Sequence, residues 1–305
     1  MTTAYRPSLH SFSFQAMGTE CLLHLYADSA DAAEDAYEAV ADEVGRIEYK
    51  YSRFRSDSVL THINRIAAAG GAVSLDPETA GLMAYAQACH RQSGGLFDVT
   101  SGVLRLAWDF SSGRLPTLQA LESLLPRVGL GKLGWEPPTL SFSRPEMELD
   151  FGGLGKEYAA DQAADLCRAR QITAGLINLG GDIQVLGPHP DGEPWRILIP
   201  HPRQDDAWDT IHIAHGAVAT SGDYERYMEV DGRRYCHLLD PTTGWPVSAL
   251  ASVTVVAPRC LVAGSVSTIA MLKGEEGPAW LGTIGLDHLW TEPGGRQGGP
   301  LAASR

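Results

Sequence analysis

The stretch Leu149-Asp150-Phe151-Gly152-Gly153-Leu154-Gly155-Lys156 divides the chain into two kinds of pattern. Behind it, one helix is predicted over about 156–170, and from Leu176 onward the pattern turns to strands. Those strands are placed at 176–186, 195–199, 208–213, 217–220 and 252–256, with a hairpin of 224–230 and 234–239 turned at Asp231-Gly232. An apolar helix follows at about 261–273, and 293–305 reads as a loose tail. Ahead of the stretch the signals are mostly helical. Ala33, Tyr37, Val40, Val44, Ile47 and Tyr51 recur at alternating steps of four and three, which draws one apolar stripe along a helix. A second helix is predicted over 77–93, with Asp76 as N-cap, Pro77 in its first position and Gly94-Gly95 as its stop. A short helix falls in 115–126, and 130–145 reads as a Gly/Pro-rich connection. At the start, 11–26 gives two short strands or one strand bent at Met17-Gly18-Thr19. The expected fold is α+β: a single domain over 1–305 (core about 11–290) with a largely antiparallel sheet and flanking helices.

Composition narrows the function classes. The chain has 305 residues, 24 Lys+Arg against 37 Asp+Glu, and a formal net charge of −13. That balance argues against a nucleic-acid partner, whose phosphates need a basic face. No apolar run approaches the roughly 18–20 residues of a membrane span. The five cysteines are odd in number, widely spaced and without a CxxC pair, so neither a zinc cluster nor a disulfide framework is expected. The N-terminus shows no charged region followed by an apolar one, so as written the chain is expected in the cytoplasm.

Two motif matches fail on context. Gly129-Leu-Gly131-Lys-Leu-Gly134 fits GxGxxG but runs into Trp135-Glu-Pro-Pro138, which cannot start the helix a dinucleotide site needs. Asp150-Phe151-Gly152 stands without the other kinase elements. Four segments remain that set glycine beside polar side chains: Gly94–Thr100, Asp150–Lys156, Asn178–Asp182 and Ala219–Tyr224. Glycines let backbone N–H groups approach an anion, and a helix start near Lys156 adds a favourable dipole. Each segment alone also reads as a tight turn with a satisfied Asp. His237, in His237-Leu-Leu-Asp240-Pro-Thr-Thr-Gly244, is a candidate general base near neutral pH or a half-buried strand residue.

In this order the motifs resemble the ApbE-type family, the FAD:protein FMN transferases, over about 14–275. The matching pieces are Ala16–Thr19, Tyr51–Ser58 closing at Asn64, Gly95–Thr100, Leu149–Lys156 with Asp161, Asn178–Asp182, Ala219–Tyr224 and His237–Gly244. The resemblance implies an α+β flavin transferase that binds FAD and Mg²⁺. Such an enzyme moves FMN onto a Thr or Ser hydroxyl of a target flavoprotein and releases AMP. It implies FAD contacts from Met17, Phe54, Leu96, Phe97, Asp98, Asp150, Lys156 and Leu239. It also implies Gly153 (through its carbonyl), Ser267 and Thr268 at the metal, and His237 as base. Family members are often exported.

The chain departs from the family's pattern twice. Ala263-Gly-Ser-Val-Ser-Thr268 carries Gly264 where the family has a metal-binding Asp, and Glu157 stands where the family usually has Gly after the Lys. Mg²⁺ depends on one or two carboxylates. The resemblance therefore leaves three readings: a transferase whose metal site is completed by water or another carboxylate such as Asp240, a flavin-binding relative without catalysis, or an FAD pyrophosphatase giving FMN and AMP. Restoring the carboxylate by Gly264→Asp is expected to tighten the metal without harming folding.

Overall fold

The computed structural model describes residues 7–304, and the leader reading of the N-terminus rests on residues outside that range. β1 (Ser8–Ala16) and β2 (Thr19–Ala27) are two strands joined by a turn in which Met17 and Gly18 take φ of 53° and 73°. α1 (Ala30–Tyr51) begins at Ser29, whose hydroxyl oxygen accepts the Ala32 N–H at 3.1 Å. It buries Ala33, Val40, Val44, Ile47 and Tyr51 of the stripe read from the sequence, while Tyr37 stacks on Phe12 at 4.7 Å. α2 (Val59–Ala68) and the short β3 (Ala72–Ser74) follow. α3 (Pro77–Ser93) starts where Asp76 accepts the N–H groups of Glu78 and Thr79 at 3.1 and 3.2 Å, and stops at left-handed Gly94.

α4 (Leu118–Leu124) occupies part of the short helix expected there. The 130–145 segment is more than a connection. Its β4 (Leu133–Glu136) and β5 (Thr139–Phe142) pair with each other, and β5 pairs with β3. Leu140 and Phe142 point inward at alternate positions, a period-2 signal that the surrounding Gly and Pro obscured. Only a single turn, Leu130–Lys132, follows Gly129, so the rejected GxGxxG match has no helix behind it.

After α5 (Gly155–Ala169) the chain is mainly strands: β6 (Gly175–Leu179), β7 (Asp182–Gly187), β8 (Trp195–His201), β9 (Gln204–Ile213), β10 (Gly216–Gly222), β11 (Tyr227–Val230), β12 (Arg233–Cys236) and β13 (Ser252–Ala257). α6 (Cys260–Leu272), α7 (Gly277–Ile284), β14 (His288–Thr291) and β15 (Gln297–Gly298) complete it. The β11–β12 hairpin turns at Asp231-Gly232 as read, both with positive φ. Eight strands form one sheet in the order β1-β2-β6-β7-β10-β13-β14-β15, every neighbouring pair antiparallel.

Both faces of the sheet are covered, which is why β7 is buried along its whole length. On one face α1, α5 and α6 pack against it. On the other, Ile183 and Val185 meet Trp195, Ile197 and Ile199 of the β8–β9 hairpin, where burying one such side chain contributes about 1.5–3 kcal/mol. Within the described residues the tail is not loose. β15 pairs with β14, Gly298 lies so close to Trp290 that a Cβ would meet the ring at 2.3 Å, and Leu301 and Ala302 pack on the β8–β9 side. All five cysteines are free and buried. No helix among the described residues is long and apolar enough to cross a membrane.

Candidate active site

The N-terminus of α5 is the centre of the site. No side chain caps this helix, so its partial positive charge faces outward from the Gly152–Gly155 turn. Lys156, in its first turn, forms an ion pair with Asp182, the first residue of β7. Gly180 and Gly181 make the two-residue turn that aims Asp182 there. Both have positive φ, and a Cβ on Gly180 would strike Thr19 at 2.5 Å. Burial opposes the Lys156 charge, but Asp182 and Glu157 hold its pKa above the ordinary lysine value. Burial likewise raises the Asp182 carboxyl, with Lys156 pulling the other way.

Glu157, the next residue, is buried, and Oε2 of its carboxylate has no hydrogen-bond partner. Burial, followed by the charge of Asp182, pushes it well above the usual carboxylate range. It lies against Gly264 of α6, where an added Cβ would come within 2.5 Å of Cγ and 2.6 Å of Oε1. This overturns the expectation that Gly264→Asp would be harmless. One turn further along α6, the Thr268 hydroxyl lies 3.0 Å from Ser221 Oγ, and Ser267 Oγ lies 2.8 Å from the same atom. Ser267 is fully buried and donates to the Gly264 carbonyl at 2.9 Å, whereas Thr268 is half-buried.

His237 follows β12. Its Nδ1 lies 3.3 Å from the Arg226 carbonyl, an acceptor only, so Nδ1 carries the proton and Nε2 presents a lone pair. Burial is the main cause lowering its pKa, and the charges of Arg226 and Lys156 act in the same direction. A neutral imidazole with a free Nε2 is the form a proton acceptor needs.

The residues expected at FAD fall into groups. Phe97 is buried with its ring edge 3.7 Å from where a Gly153 side chain would begin, so Gly153 keeps this approach open. Asp150 pairs with Arg53 and accepts the Gly152 N–H at 2.8 Å, which ties the glycine turn to the end of α1. Arg53 in turn lies over the ring of Phe54, which is 85% exposed and so free to receive a flat partner. The amide of Asn64 exchanges both hydrogen bonds with the Leu149 backbone, at 2.8 and 2.9 Å, and fixes the segment leading into the turn. Lys156, Asp150, Gly153 and Phe97 thus cluster around the α5 start. Leu96 is half-buried in the loop before Phe97. Met17 sits in the β1–β2 turn and packs on the main core, and Leu239 packs near Leu104 and Trp108.

Other carboxylates have partners of their own. Asp98 accepts from Thr100 N–H and hydroxyl at 2.8 and 2.6 Å and from Leu130 N–H at 2.8 Å, so it shapes the Gly94–Thr100 loop. Asp240 accepts from the Thr242 N–H and hydroxyl at 2.7 and 2.6 Å. Both fall on Oδ1, so this turn engages one of its two carboxylate oxygens. Asp223 is clamped by Arg203 at 2.6 and 2.7 Å. Sequence reasoning missed the part played by Ser221, although it lies in the Ala219–Tyr224 segment already singled out. Of two cavities of about 540 and 330 Å³, the first opens between Arg168 and Asp287 and the second between Gly95 and Thr242 with Asp98 in its lining; neither is lined by Lys156 or His237.

Solved flavin transferases share this fold. The chain matches the crystal structure of the ApbE protein from Thermotoga maritima with a TM-score of 0.90 and 30% identity, covering 97% of this chain and 98% of that one. It matches apo flavinyl transferase ApbE from Pseudomonas stutzeri with a TM-score of 0.86 and 29% identity, over 97% and 95% of the two chains. The chain belongs to the ApbE family, whose model matches residues 17–290. A relative named FAD:protein FMN transferase from Vibrio cholerae serotype O1 is 34% identical over 232 residues, 74% of this chain and 69% of the relative. One of the same name from Haemophilus influenzae is 29% identical over 282 residues, 87% and 81% of the two chains.

Proposed function

We propose that this chain transfers FMN from FAD to a Thr or Ser hydroxyl of a target flavoprotein and releases AMP. The observation that supports it best is the Lys156–Asp182 pair at the uncapped α5 start, in the same electrostatic neighbourhood as a neutral His237. In the reaction the acceptor oxygen bonds to the flavin-side phosphorus, and the pyrophosphate P–O bond breaks. The bridging oxygen leaves with AMP, and the hydroxyl proton goes to His237 Nε2. Lys156 and the α5 dipole offset negative charge on the phosphoryl oxygens, and Asp182 holds the ammonium in place. Asp150 and Arg53 brace the glycine turn, with Phe54 and Phe97 as aromatic surfaces for the flat rings.

The oxygen donors here suit a hard cation, the Gly153 carbonyl and Thr268 hydroxyl among them, and Ser267, turned to its own helix, suits it less. Mg²⁺ bound there would supply further charge neutralisation at the pyrophosphate. The test is AMP release from FAD with and without an acceptor flavoprotein. Release that requires the acceptor and labels it with flavin supports transfer. Release without acceptor means hydrolysis, and tight FAD binding with no AMP means a non-catalytic flavin carrier.

A further inference from the structure

Two departures from the family's pattern, Glu157 and Gly264, touch each other in the fold. The Glu157 side chain fills the volume that any side chain on Gly264 would enter, with Cγ, Oε1 and Cδ all within 2.9 Å of the added Cβ position. A carboxylate therefore occupies the side-chain space of position 264 after all, delivered from α5 instead of α6. It is only 7% exposed and its Oε2 is unpartnered. An ionised carboxylate in that condition is costly unless a cation compensates it. The local ammonium, Lys156, offsets that charge only in part, because it is ion-paired with Asp182. Thr268, one helical turn beyond Gly264, presents a hydroxyl on the same face of α6.

The geometry points to Glu157 as the carboxylate ligand of a divalent cation of the Mg²⁺ or Mn²⁺ class, with Gly264 as the change that makes room for it. The inference rests on the FAD-binding reading above, because pyrophosphate oxygens would complete the coordination. The glutamate is one methylene longer than aspartate, which suits delivery from the neighbouring helix. The carboxylate is thus supplied from α5 into the space beside Gly264 that a side chain from α6 would otherwise fill.

The experiment is Mn²⁺ titration of the FAD-loaded chain, followed by the electron paramagnetic resonance signal of free Mn²⁺, with FAD affinity measured separately by calorimetry. The wild type is expected to hold one Mn²⁺ per chain. Glu157→Gln, which keeps shape and removes charge, is expected to weaken it by at least about tenfold, since even outer-shell losses cost 10–100-fold. The exchanged variant Glu157→Gly with Gly264→Asp is expected to recover Mn²⁺ affinity to within about threefold of the wild type, while Glu157→Gly alone stays as weak as Glu157→Gln, a loss that a merely structural Glu157 would not produce. Unchanged Mn²⁺ affinity in Glu157→Gln overturns the inference, as does a wild type that binds FAD without Mn²⁺. In both cases the FAD reading stands. A wild type that binds no FAD instead defeats the proposed function. The Glu157→Gln comparison on the FAD-free chain then decides the ligand question alone: weakened Mn²⁺ binding supports it, and no difference or no binding overturns it.

Discussion

Replacing Gly264 with alanine should destabilise the protein, against the direction helix propensity alone would give. Gly264 lies inside α6, and exchanging a mid-helix glycine for alanine ordinarily stabilises by about 0.8–1.0 kcal/mol. Here the new methyl would sit 2.5–2.9 Å from three atoms of Glu157, where ordinary contacts begin near 3.4 Å. Glu157 is buried and cannot swing into solvent without opening the α5–α6 contact. Forcing a methyl into a filled interior costs about 1–3 kcal/mol, so the net change is roughly 0–2 kcal/mol of destabilisation. Gly45 in α1 supplies the control, because it is exposed and an added Cβ meets nothing within 4 Å. Gly45→Ala should therefore stabilise by the full propensity amount. The gap between the two variants in denaturant unfolding, followed by tryptophan fluorescence, should be about 1–3 kcal/mol. Adding Glu157→Ala to Gly264→Ala should close most of that gap, with a coupling of about 1–3 kcal/mol in the double-mutant cycle. If Gly264→Ala stabilises as much as Gly45→Ala, Glu157 does not occupy that space and the supply of a carboxylate from α5 is wrong.

His237→Ala is expected to slow AMP release about 10²–10⁴-fold while FAD affinity, measured by calorimetry, changes little. The working form of His237 is the neutral one, and burial lowers its pKa, so the rate should climb as pH rises through a value below the ordinary 6.5 and hold above it. An acidic limb at or above 6.5 would count against His237 as the base. Asp182→Asn strands the Lys156 charge and should cost about 3 kcal/mol in urea unfolding, the lower end for a broken buried pair because Lys156 retains some solvent contact. Its unfolding midpoint matching the wild type would remove the ion pair from the account of the site. Finally, FAD should bind more tightly than FMN or riboflavin in parallel calorimetric titrations, and equal affinities would mean that the AMP half is not recognised.

The sequence by itself determined the elements whose causes lie within a few residues. The α1 stripe, the Asp76-Pro77 start and Gly94 stop of α3, and the Asp231-Gly232 turn were legible because periodicity, caps and turn geometry act locally. The order of the motifs was also enough to identify the family. The sequence did not show which carboxylates were free to act, because Asp98, Asp223 and Asp240 look alike until their partners are known. Nor did it show that β4 and β5 pair, since Gly134 within β4 and Pro137-Pro138 between the strands masked the alternation. The Gly264 position read as a missing ligand, and Glu157 as an unwelcome charge, when each residue was taken in its own segment. Only the packing of α5 against α6 brings Glu157 into the space beside Gly264. That contact joins residues far apart in the chain through excluded volume, and volume is filled by the folded molecule as a whole.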